Sequence, residues 1–122
     1  MRIAALLTAA LVAGVVTAAE PGAAATQEIR YLLARLEASG CQFYRNGSWH
    51  SAQDASGHLQ KKYRYLLDRG MISSAESFIE HGASASSMSG KPYQVRCGAD
   101  AKPATSAAWL TAELVQYRQR AK

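Results

Sequence analysis

Apolar residues recur along the chain with helical spacing in four stretches, and two short stretches between them alternate with a period of two; that pattern predicts the fold. Ile29, Leu32, Leu33 and Leu36 form one helical face behind Thr26, which is placed to cap a first helix, and Gly40 is placed to close it. A second helix is expected over residues 52–68, with Ala55, Leu59, Tyr63, Leu66 and Leu67 inward and Lys61, Arg64 and Asp68 outward. Its start is marked by Ser51-Ala52-Gln53-Asp54, a capping-box pattern, and its end by Arg69-Gly70. Ser73 with Glu76 repeats the capping pattern for a third helix that buries Ala75, Phe78, Ile79 and Ala83. Ser106 can cap a fourth through Trp109, Leu110, Leu114 and Tyr117, after a loop over residues 101–105.

The two alternating stretches are Cys41 to Arg45 and Lys91 to Cys97. Asn46-Gly47 after the first is a strong turn signal, because both residue types tolerate positive φ. The capping pattern at Ser51 follows so closely that the turn is expected to redirect the chain from strand into helix rather than into a hairpin. If the two strands run antiparallel with Cys41 opposite Cys97, Phe43 faces Val95 and Arg45 faces Tyr93, with the cysteines and the apolar pair on one face. The expected architecture is mainly α with a small two-stranded antiparallel β ribbon, an α+β fold of about four helices and one disulfide.

The first residues change this picture. Arg2, the apolar and small run Ile3 to Val16, and Thr17-Ala18-Ala19 read in order as the three parts of a secretory signal, with cleavage expected before Glu20 and a second small-residue site at Ala23 to Ala25. The run is shorter than the roughly 20 residues a bilayer span needs, so no stable membrane span is expected in the mature form. The chain then divides into a signal peptide (1–19), a flexible Pro-Gly-Ala leader (20–25) and one small domain (26–122), with a periplasmic or secreted location. Such a domain of roughly one hundred residues buries a modest core and gains from a staple. Cys41 and Cys97 are the two cysteines, and an oxidising compartment makes them a disulfide by default. They lack the closely spaced partners of a zinc site. The net charge of +5 is spread along the chain rather than gathered in a run. Nucleic acid is not implied, and an anionic envelope surface or a merely solvated basic surface both suit it.

Several spaced motifs carry a resemblance. Phe43-x-Arg45-Asn46-Gly47 with His50, Ala55-x-x-His58-Leu59 with Lys62, Ala75-Glu76-x-Phe78-Ile79, and Ala83-Ser84-x-Ser86-Ser87 with Gly90-Lys91-Pro92-Tyr93-x-Val95 resemble, in that order, the YfeK-like family of small exported bacterial proteins. The likeness runs from about Ile29 to Leu114. It implies an exported bacterial protein in a domain family of unknown function, with no catalytic or ligand residues to carry over.

Candidate chemistry therefore rests on the residues themselves. Arg45, Asn46 and Gly47 precede a helix start, where an arginine and free backbone N–H groups together can hold an anion. His50, His58, Lys91 and the hydroxyls of Ser86, Ser87 and Ser89 could complete a site for a carboxylate, a phosphate or an acidic peptidoglycan stem, or for a protein partner. Equally, Asn46-Gly47 can be only a turn and the serine run only a connector. The alternative is a small periplasmic hydrolase in which His50 or His58 activates a serine of the 84–89 loop, oriented by Asp54 or Glu76. Neither a Gly-x-Ser-x-Gly elbow nor a Ser-x-x-Lys pair supports it. Metal chemistry is not implied, because His50 and His58 sit at neither i+3 nor i+4 spacing and His81 stands alone; no cofactor motif is present.

Overall fold

The chain runs α1 (Ala23–Glu37), β1 (Gln42–Arg45), β2 (Ser48–His50), α2 (Ala52–Asp68), α3 (Ala75–Gly82), β3 (Gln94–Arg96), β4 (Ala104–Thr105) and α4 (Ser106–Arg120). This is a computed structural model that describes residues 4–5, 20–98 and 101–122. Apart from residues 4–5, the expected signal peptide lies outside the described residues. The α+β class with four helices and one disulfide is as the sequence predicts, but the sheet has four strands rather than two.

α1 buries Ile29, Leu32, Leu33 and Leu36, the predicted face. It begins at Ala23, so Thr26 is inside it and half of the expected leader is helical; three successive alanines, the strongest helix formers, carry the helix back past Thr26. The Ser39 hydroxyl donates to the Leu36 carbonyl at 2.7 Å, and Gly40 at φ 68° turns the chain into β1.

The main correction concerns the stretch after β1. Asn46 (φ 49°) and Gly47 (φ 89°) both adopt positive φ and join β1 to β2 as a hairpin, with Arg45 opposite Ser48 and Phe43 opposite His50. A two-residue turn of that kind matches strand twist, and three residues suffice for β2 before the helix opens. The hairpin and the cap at Ser51, whose hydroxyl accepts from the Asp54 N–H at 3.1 Å, are therefore compatible. The expectation that one excluded the other was wrong.

The sheet order is β2-β1-β3-β4, antiparallel throughout. Phe43 faces Val95, the register inferred from the cysteines, and Cys41 is bonded to Cys97. β4 lies in the residues expected as loop, and Thr105 rather than Ser106 caps α4, accepting from the Ala108 N–H at 3.2 Å. At α3 the cap is Ser74 rather than Ser73: Ser74 and Ser77 each accept the other's backbone N–H at 3.0 Å. Because Ser77 closes this box, the Glu76 side chain is left free for a distant partner.

The sheet lays one face against α2 and α4. Phe78, Ile29, Leu32, Leu36, Ile72 and Leu110 are fully buried at the centre. Tyr63 meets the Phe78 ring edge-on at 5.4 Å, and Phe43 meets Trp109 at 5.9 Å. Among the described residues no helix is long and apolar enough to cross a membrane.

Candidate functional site

Alternation along the hairpin sends Phe43, Arg45 and His50 to the sheet face that meets the helices, and β3 brings Tyr93 beside them. The capped start of α2 follows immediately, and its first turns present Asp54, Ala55, His58 and Leu59 to the same space. The result is a half-open cleft with apolar walls from Phe43, Ala55 and Leu59 and a polar end formed by Arg45, His58 and Tyr93. Centres of water-sized molecules fit within it over about 30 Å³, enough for a small functional group.

The polar end is a connected network. Arg45 Nη1 lies 3.2 Å from His58 Nδ1, and His58 Nε2 lies 3.2 Å from the Tyr93 hydroxyl. Lys62, one turn beyond His58 on α2, donates to the same hydroxyl at 3.2 Å and to the Ala85 carbonyl at 2.8 Å. Its ammonium also sits 5.0 Å from the Tyr93 ring centre. Chemistry fixes the direction of each bond. A guanidinium only donates, so Nδ1 of His58 accepts, the ring is neutral, and its proton is on Nε2, which donates to Tyr93. Tyr93 Oη thus receives two donors, and its own O–H points onward with no acceptor among the described residues.

Electrostatics agree with a neutral ring. Burial, and then the charges of Arg45 and Lys62, lower the pKa of His58 from 6.5. Burial and then Arg45 lower that of Lys62, while burial raises that of Tyr93 against the pull of Arg45. The ion pairs among the described residues involve Arg35 and Arg118, not Arg45 or Lys62. Asp54, at the cleft, is in none of them either.

Of the residues singled out from sequence, Arg45, His50 and His58 meet in this cleft. Asn46, Gly47, Ser89 and Lys91 gather instead at a shallow recess around the hairpin turn, where the Ser89 hydroxyl donates to Asn46 Oδ1 at 2.9 Å. Ser86 is buried, and its hydroxyl accepts the N–H groups of Met88 and Ser89 at 3.2 and 3.3 Å, which makes it the brace of its own turn. Ser87 is exposed. No hydroxyl of these three bonds a histidine among the described residues, since both ring nitrogens of His58 are taken by Arg45 and Tyr93.

A family described as a family of unknown function (DUF5329) matches residues 23–118. The chain belongs to that family. Over 51 residues, 42% of the chain, it is 45% identical to the uncharacterized protein YfeK of Salmonella typhimurium. That match spans about two fifths, 41%, of the relative's length. No solved structure matches the chain. Membership of DUF5329 agrees with the resemblance drawn from the spaced motifs, and it brings no assigned site residues.

For this DUF5329 chain the sequence reading left Tyr93, which lines the cleft, and Lys62, which bonds its hydroxyl, out of the candidate binding site, and named Asp54 only as the orienting acid of the hydrolase alternative. Lys62 was legible, because it stands at i+4 from His58 on one helix face. Tyr93 was legible only by extending the Phe43–Val95 register one step past β3, toward Arg45. Among the described residues, no three His, Cys, Asp or Glu side chains gather as metal ligands.

Proposed function

We propose that the protein is exported to the cell envelope and binds, without catalysis, the anionic group of a small ligand or envelope component in the Arg45–His58–Tyr93 cleft. One observation carries the binding reading: the network at the polar end of the cleft consists of donors, Arg45, Tyr93 O–H and Lys62, and no ion pair neutralises them among the described residues. A partly desolvated cationic end of this kind gains most from an acceptor that carries charge, because charge-assisted bonds are the strong ones. Titration calorimetry with acetate and inorganic phosphate tests it. Saturable binding that Arg45→Gln weakens about tenfold or more supports the reading, and absence of heat with any anion overturns it.

Export is supported by the tripartite start from Arg2 to Ala19 and by the Cys41–Cys97 bond, which persists in oxidising compartments. Fractionation with N-terminal sequencing tests it. A periplasmic or secreted form beginning near Glu20 is expected, and a cytoplasmic form that keeps Met1 to Ala19 overturns it.

A further inference from the structure

The cleft joins groups of both signs. Asp54 lies in the first turn of α2, and only its backbone N–H is used by the cap at Ser51. Its carboxylate enters no ion pair among the described residues, although it lines the same small cleft as Arg45. A phosphate or a bare carboxylate held by Arg45 and Tyr93 would bring like charge toward Asp54 at the exposed rim of the cleft, a repulsion that solvent weakens but leaves unfavourable. A ligand with an ammonium next to its carboxylate turns that repulsion into a second attraction. Size is compatible with this, because the enclosed part of the cleft is small and suits a head group. The walls of Phe43, Ala55 and Leu59 suit a carbon-bound hydrogen or methyl, and the open side lets the rest of a larger molecule extend into solvent.

We infer that the cleft recognises the α-amino acid head group, with the carboxylate on Arg45 and the Tyr93 hydroxyl and the ammonium on Asp54. This rests on the anion-binding reading and narrows it. The group occurs in free amino acids and at the side-chain end of a diamino diacid within a cell-wall peptide, so both sources belong in the test.

The experiment is calorimetric titration of the disulfide-bonded protein with D- and L-alanine, N-acetylalanine, alaninamide, acetate, inorganic phosphate, and a soluble cell-wall peptide carrying a diamino diacid. Alanine of one or both hands, or the peptide, is expected to bind at least tenfold more tightly than N-acetylalanine, alaninamide or acetate. The tighter of the two tells which source the cleft serves. Asp54→Asn is expected to erase the advantage over acetate from both sides, by weakening the amino acid or peptide and by tightening acetate as the repulsion is removed. Acetate or phosphate binding as tightly as every amino acid probe, unchanged by Asp54→Asn, overturns the head-group assignment and leaves the anion site standing. No binding by any probe overturns both. The comparison among ligands on the unsubstituted protein stands even if Asp54→Asn weakens the start of α2.

Discussion

Arg118 and Arg45 show how one residue type serves two ends. On the side where α1, α3 and α4 meet, Arg118 donates to both carboxylate oxygens of Glu28, at 2.6 and 3.1 Å, and also reaches Glu76. Nearby Arg35 pairs with Glu113 at 3.3 Å. Charge there is matched by charge, and its effect is to brace three helices. In the cleft, Arg45 meets a neutral histidine that passes the polarity on to Tyr93, and Lys62 arrives at the same hydroxyl. A protein seeking only stability has little reason to gather donors that no acid bonds among the described residues, because leaving partly buried charge unpaired is costly. The matched side is a brace, and the unmatched side is where we place the proposed site.

That contrast can be broken in four ways. The largest effect belongs to the staple of the cleft side: Cys41→Ala with Cys97→Ala releases a bond closing a separation of 56 residues and is expected to lower unfolding free energy by about 4 kcal/mol, read from urea curves. Tyr93→Phe removes the hydroxyl that receives two donors, and the stranded His58 N–H and Lys62 ammonium cost about 1 to 2 kcal/mol in the same assay. A neutral outcome would mean that the network is not formed. Arg118→Ala, on the exposed brace, is expected to cost less than about 1 kcal/mol despite its three hydrogen bonds, and less in high salt. A larger loss would erase the distinction between brace and site.

The smallest effect is in pH. Because burial and its cationic neighbours hold His58 below its ordinary 6.5, the unfolded chain takes up that proton first as pH falls. The contribution is therefore complete above about 6.5 and declines below it, until the folded state is protonated as well. Urea midpoints between pH 7.5 and pH 5.5, about one unit either side of an ordinary histidine pKa, follow it, and His58→Gln should flatten that part of the profile. His58 is only half-buried, so the slope is shallow. An equal slope in His58→Gln would show that the histidine does not sit in the cationic field that the network requires.

Local patterns determined much of this molecule. Ile29, Leu32, Leu33 and Leu36 needed only their spacing to declare a helix face, and Ser51 only its neighbours to open α2. The pairing of Phe43 with Val95 followed from two cysteines and a period of two. Where the sequence misled, two local signals competed: the turn at Asn46-Gly47 and the cap at Ser51 looked exclusive, and space for the three residues of β2 let both operate. Ser74 displaced Ser73 and Thr105 displaced Ser106 for a related reason, since several adjacent hydroxyls can cap and packing of the helix selects one.

Only the tertiary structure assembled the cleft. Its bonds join residues 13, 31 and 35 positions apart, separations at which helical and strand periodicity carry no information. Lys62 is, by sequence, one more polar residue of an amphipathic helix, and Tyr93 one more residue after a proline. Folding converts them into a donor network because β3 docks against β1 in a single register while α2 starts directly below the hairpin. The periodicities in the chain decided which faces would be buried; the crossing of those faces decided which charges would meet, and which would be left without a partner.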